Sequence, residues 1–276
     1  MRRRTLAAAV LCAGAMAASA CATGQSRMAR ALDPSMERVQ VTEGYIRAVA
    51  GITGDARRLM RGDGYVYLAD VAPQLRYLAV DRDTARYRSL RTYVQEKLLR
   101  RDATGLTPER RYRSDVRFEP ATAYGYQWLG EALRDGWRLL GDTASAQLLA
   151  QIAWSGEDMQ AAYASTYGFT MRCADAVDEV QQSPATGRAV LAKAVRDLQP
   201  LQVRGQEYEL DVLSCMTRLA VAARDPDATV RYLDRVLDLL EPLVRHSGRP
   251  DGGTSADVLL TLRAVREVGP RYYDRR

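Results

Sequence analysis

Three stretches of this chain share one grammar: an apolar-striped helix, a tight turn holding an acidic residue, and a second apolar-striped helix. The repetition constrains the fold more than any other feature. In residues 121–154, Pro120 suits a first helical turn, and Tyr126, Leu129, Leu133, Trp137 and Leu140 recur at three- and four-residue spacing. Glu131, Arg134, Asp135 and Arg138 occupy the opposite face. Gly141 can turn left-handed past the helix end, Asp142 can cap the next helix, and Leu148, Leu149 and Ile152 stripe that second helix. Helices joined this tightly must run antiparallel. Residues 65–98 and 207–244 repeat the pattern, with acidic caps at Asp81 (Asp83 being the other candidate) and Asp225. Ala85, Ala146 and Ala228 open the three second helices. Unequal spacing between the caps argues against a strict tetratricopeptide array, whose period is about 34 residues.

The rest of the chain fits the same reading. Asp33-Pro34 opens a helix to about Ala50, glycines at 51, 54, 62 and 64 punctuate the next stretch, and a short turn is expected at 56–60. Residues 157–181 and 185–197 read as two helices parted by Ser183-Pro184, and Thr254 with Asp257 resembles a capping box that starts a final helix to Val268. No strand-period alternation stands out, so the expectation is all-α, an array of antiparallel helical hairpins forming a single domain over 33–276.

The N-terminus reads as an export address. Arg2, Arg3 and Arg4 precede an apolar run from Leu6 to Ala20, the pattern of a signal peptide and too short for a transmembrane anchor. Ala18-Ser19-Ala20-Cys21 resembles a bacterial lipobox, in which Cys21 is lipidated; the same residues also suit an ordinary small-residue cleavage site. Ala22 after the cysteine implies the outer membrane, with residues 21–32 as a lipidated tether and the domain in the periplasm. The full chain carries a formal charge of +6, and loss of the three leader arginines leaves it only mildly basic. With no concentrated basic stripe, nucleic acid is not an expected partner. Cys173 and Cys215 would meet an oxidising compartment, where they either pair or lie as two separately buried thiols.

Motifs of high chemical specificity are missing. His246 is the single histidine, so neither a catalytic triad nor a zinc cluster is expected, and Gly62-Asp63-Gly64 lacks the lysine of a phosphate loop. No cofactor or metal is implied. The loop from Arg100 to Phe118 crowds arginines, among them Arg111 and Arg113, beside Tyr112 and Phe118, a composition that can hold anionic sugars or phosphates. Asp102, Glu109, Asp115 and Glu119 are interleaved, which also suits an internally paired solvated loop.

Gly62-Asp63-Gly64-Tyr65, the helix after it, Asp81, and Tyr87-Leu90-Tyr93 resemble one hairpin of the six-hairpin α/α-toroid glycosidases, with Thr42-Glu43-Gly44-Tyr45 as a similar tetrapeptide. The likeness spans residues 40–154. It implies an α/α-toroid-like ring, the alternative being an irregular helical-repeat superhelix. It also implies a general acid on an acidic residue before a glycine, Asp63 or Glu43, with Glu119 as second carboxylate; such residues equally end ordinary helices. Two functions are compatible with these features. The first is an outer-membrane-anchored lipoprotein whose helical-hairpin surface binds an envelope protein or a polysaccharide, using Tyr65, Tyr67, Tyr124, Tyr126, Arg111 and Arg113. The second is a polysaccharide-active enzyme of the glycoside hydrolase type.

Overall fold

The computed structural model describes residues 27–52, 54–59, 65–102, 105–113, 118–120, 123–152, 168–199, 205–246, 248 and 252–269. Most of these are helical, as the periodicity predicts. The helices are α1 (Met36–Val49), α2 (Leu68–Val80), α3 (Thr84–Tyr93), α4 (Ala123–Leu140), α5 (Thr143–Gln151), α6 (Phe169–Gln182), α7 (Gly187–Leu198), α8 (Gln206–Ala222), α9 (Pro226–Arg245) and α10 (Gly252–Val268). Among the described residues no helix is long and apolar enough to cross a membrane.

The three repeated turns share a backbone device. Arg82, Gly141 and Arg224 stand in the left-handed region at φ of 59°, 65° and 55°, each directly before the aspartate that starts the next helix. The amides of Asp83 and Asp225 then reach back to the carbonyls of Leu78 and Ala220, both at 3.0 Å, closing the exposed end of the preceding helix. Asp83 is therefore the cap, accepting from the Arg86 amide at 3.0 Å, and Asp81 is not. Asp81 accepts from Arg263 of α10 at 2.8 Å instead. Asp225 caps as expected, taking the Ala228 amide at 2.9 Å. Asp142 sits at the start of α5 but gives its carboxylate to the Ser145 hydroxyl at 2.6 Å and to Arg91 at 2.9 Å.

Each of these turns folds consecutive helices onto each other, α2 on α3, α4 on α5 and α8 on α9, and α6 packs on α7 in the same way. Longer-range packing joins α2 to both α4 and α10, and α8 to both α6 and α10. Gln127 of α4 donates through Nε2 to the Met171 carbonyl at 3.0 Å and to Asp175 at 3.1 Å, both on α6. Helix α1 lies against α9 and α10. One apolar core runs through α1 and α6–α10, a second through α2–α5, and α2 is the shared wall, with Tyr77 in the first and Leu75 and Leu78 in the second. Residues 27–32, expected to be tether, are helical and bury Met28 and Leu32 in the first core, because two large apolar side chains on one helical face gain more from packing than from solvent.

The sequence reading also missed a small antiparallel sheet. Strands β1 (Tyr65–Tyr67), β2 (Leu99–Asp102), β3 (Gly105–Arg113) and β4 (Phe118–Pro120) pair in the order β1-β3-β2, with β4 also on β3. Helix α2 thus starts three residues after Tyr65, and strands occupy much of the stretch that reads as an arginine-rich loop. Strand β3 leans on α2, α4 and α5. Its stability comes from backbone ladders and that support, which a charged composition does not advertise.

Candidate functional site

Five helices send residues to one pocket of about 120 Å³: Ala69, Asp70, Pro73 and Arg76 from α2, Trp128 and Glu131 from α4, Thr170 and Ala174 from α6, Asp211, Cys215 and Arg218 from α8, and Thr254, Asp257 and Leu260 from α10. Most belong to the N-terminal halves of their helices. Helix N-termini favour negative charge, and Asp70 stands in the first turn of α2, whereas Asp211 and Asp257 lie more than a turn inside their helices.

Sequence periodicity misjudged α4 at this point. Glu131 and Asp135 read as solvent-facing, yet Glu131 is only 3% exposed and Asp135 is buried, while Trp137, assigned to the apolar stripe, is 55% exposed. The cause is Arg76 of α2, which pairs with Glu131 and donates through Nε to Asp135 at 3.0 Å. Burial alone would weaken that guanidinium, but the two carboxylates hold it firmly protonated. Burial in turn pushes the Glu131 carboxyl above the usual carboxylate range, an effect Arg76 opposes only in part. Arg138 also donates to Asp135, at 3.1 Å, so the strain of burial falls on Glu131 rather than on Asp135. The second oxygen of Glu131, Oε1, is buried without a hydrogen-bond partner among the described residues. Glu131 and Arg76 also wall a wider groove between α4 and α6, where Trp137, Arg138 and Asp178 are found.

Across the pocket, Arg218 donates through Nη1 to the Asp257 carboxylate at 2.7 Å and to the Thr261 hydroxyl at 2.9 Å. Asp257 is therefore an ion-pair partner; α10 has already begun at Gly252, so the expected capping box does not form. Pro73 adds an acceptor to the wall. Lacking an N–H, it deprives the Ala69 carbonyl of its ordinary helical donor, and Ala69 lines the cavity. Cys173 and Cys215 form a disulfide with a Cα–Cα distance of 6.2 Å, tying α6 to α8 at the pocket edge.

The residues singled out from sequence fall mostly elsewhere. Glu43 is buried in α1, where Arg47 holds it at 2.7 Å and Arg266 at 3.0 Å; it is a structural ion-pair centre outside the pocket lining, because α1 packs on α9 and α10. Asp63 lies outside the described residues. Glu119 belongs to β4, paired in register with Arg111 of β3. Tyr65 and Tyr67 are half-buried in β1, ring centroids 6.4 Å apart, with Arg113 and Arg111 as their partners across the ladder. The side chains of Arg111, Arg113, Glu119, Tyr124 and Tyr126 are outside the described set. Asp70, Asp211 and Asp257 were missed, although each has a sequence signal: an acid flanked by apolar residues, as in Leu210-Asp211-Val212 and Ala256-Asp257-Val258.

Among the described residues no cluster of histidine, cysteine and carboxylates is placed to hold a metal ion. No family model, curated protein or solved structure matches this chain.

Proposed function

We propose that the protein is a glycan-binding α/α-toroid of the bacterial envelope, anchored at Cys21 in the outer membrane with its domain in the periplasm. In this reading α2, α4, α6, α8 and α10 form the inner ring. Helices α3, α5, α7 and α9 are their outer partners, and α1 completes the pair with α10. The observation that carries it is the shared pocket, to which all five inner helices contribute and in which Trp128 stands among carboxyl groups. Sugars present apolar C–H faces that stack on aromatic rings, and hydroxyls that bind carboxylates. Calorimetry of the full chain in detergent against envelope saccharides tests the reading, with micromolar to millimolar binding expected; a flat response to every saccharide refutes it. The anchor is tested separately. Cys21→Ala is expected to move the protein from the membrane fraction to the soluble periplasm, and unchanged fractionation would reject the lipid.

A second reading, hydrolysis of a polysaccharide, is favoured by the environment of Glu131. Burial pushes this carboxyl upward, in the direction a general acid needs, and further carboxyl groups on facing helices line the same pocket. Release of reducing ends from envelope polysaccharide, lost in Glu131→Gln, would establish it; release that persists in that variant would remove Glu131 from the chemistry.

A further inference from the structure

The two ends of the molecule are unlike. Met36, at the start of α1, lies against Gly269 just past the end of α10, so close that a Cβ on that glycine would stand 2.9 Å from the Met36 Sδ. Tyr45, near the end of α1, donates to the Gly248 carbonyl at 2.6 Å, shortly before α10 begins. Helix α1 therefore runs antiparallel to α10 and starts at the end where α10 finishes. The pocket reaches the other end: it takes Gly253, Thr254 and Asp257 from the first turns of α10, and Ala69 and Thr170 from the second positions of α2 and α6.

The distance from that α1 start to a lipid on Cys21 is short. From Arg27 to Tyr45 the chain is helical and spans about 27 Å, and Met28 and Leu32 fix its first turns to the core. Between Cys21 and Arg27 lie six peptide links, which reach at most about 22 Å when fully extended. A lipid on Cys21 holds the α1 start within that reach of the bilayer surface. Turning the molecule over, so that the pocket end met the same bilayer, would lift the α1 start beyond it.

The ends of α2, α4 and α6 share the α1-start side. Asp81, just past α2, accepts from Arg263 in the later half of α10. Trp128 and Thr170 stand in the pocket with Ala69, whereas Asp135 and Asp178 stand with Arg76 in the groove nearer the helix ends. In that groove Trp137 is 55% exposed, with Arg134 and Arg138, both exposed, beside it. Of the acids there, Glu131 and Asp135 are buried against Arg76, and Asp178 is half-buried. An exposed indole beside two guanidiniums suits the level of lipid headgroups, where the ring takes the interface and the guanidiniums meet phosphates.

We infer that the end of the molecule at which α1 starts lies on the bilayer that holds the anchor, with Trp137 at headgroup depth, and that the pocket end faces away from that bilayer. The inference rests on the lipid anchor of the reading above and narrows its ligand. The pocket is placed to receive a saccharide from the aqueous side, not the headgroup of a lipid in the anchoring leaflet.

The test uses the full lipidated chain in vesicles of phosphatidylethanolamine and phosphatidylglycerol, with one fluorescent thiol label per variant and a lipid carrying a nitroxide headgroup as quencher. In the mature chain the lipid occupies Cys21 and the disulfide occupies Cys173 and Cys215, so an introduced thiol is labelled alone. Asp227→Cys and Ala85→Cys put labels at the α1-start end, and His246→Cys and Gln206→Cys at the pocket end; all four positions are exposed. Two sites at each end keep the comparison if one variant folds poorly, and Trp137→Cys reports the contact itself. Quenching at Asp227→Cys and Ala85→Cys is expected to be at least threefold that at His246→Cys and Gln206→Cys, with Trp137→Cys the strongest. Equal quenching at both ends, or stronger quenching at the pocket end, overturns the orientation. The expected difference between the ends with Trp137→Cys unquenched overturns the contact at Trp137. A chain that does not float with the vesicles overturns the anchor and this inference with it, while saccharide binding in detergent decides the glycan reading separately.

Discussion

The Tyr87 side chain reaches from α3 to α4 and lies directly against Gly136. A Cβ built on Gly136 would overlap the Tyr87 hydroxyl and Cζ and come within 2.8 Å of Cε1. Tyr87 has no easy retreat. It is fully buried, with its hydroxyl 2.8 Å from Ser145 Oγ and 3.2 Å from the Ala132 carbonyl. Gly136→Ala should gain roughly 1 kcal/mol from helix propensity. Against that stand about 1–3 kcal/mol for forcing a buried ring aside and about 1–3 kcal/mol for stranding the polar atoms that Tyr87 satisfies. The net expectation is a loss of about 2–4 kcal/mol, a fall in Tm of about 5–12 °C for a domain of this size. Urea titration monitored by circular dichroism measures it, and a double-mutant cycle with Tyr87→Leu should show coupling of more than about 1 kcal/mol. A Gly136→Ala protein as stable as wild type, or more so, would refute the seating of Tyr87 against α4, since helix propensity alone predicts stabilisation.

Three further perturbations test other parts of the structure. Replacing Cys173 and Cys215 by alanine opens a link across 42 residues and should lower stability by about 4 kcal/mol; a Tm insensitive to reductant would contradict the bond. Arg76→Met leaves Glu131 buried without its cation and Asp135 with Arg138 in place of two guanidiniums and should cost about 3–5 kcal/mol, so an unchanged urea midpoint would deny the cluster its structural role. Asp83→Ala removes the α3 cap, worth about 1 kcal/mol at neutral pH. The Arg86 amide bond holds the folded Asp83 carboxyl below its ordinary range, so this contribution is present above the unfolded-state pKa and is lost as the pH falls through the folded value. The gap between wild type and Asp83→Ala should therefore close in acid, and a gap that widens there would show the capping to be misassigned.

The repeated grammar made the helices and their turns legible, because amphipathic spacing and turn residues act within a few positions of one another. Asp225 and Asp142 stand where the pattern puts them, and even the error at Asp81 is two residues, decided by Arg82 adopting the left-handed turn. The sheet was not legible: β1 lies far in sequence from β2 and β3, and their pairing is a backbone property that a charged composition conceals. Nor was the pocket. Glu43 was attractive as an acid before a glycine, but nothing local distinguishes an acid buried in an ion pair away from the pocket, as Glu43 is with Arg266, from one that lines it.

The sequence by itself determined the helical periods, the cap-and-turn chemistry and the apolar stripes that had to be covered, all set by interactions within about one helical turn. Only the tertiary structure decided that Glu131 and Asp135 are inside while Trp137 is outside. That choice depends on Arg76, which lies 55 residues away in sequence from Glu131 and meets it only once α2 and α4 pack. The same holds for the pocket, whose carboxylates come from separate helices. The desolvation and charge balance that give them their chemistry exist only when those helices stand together.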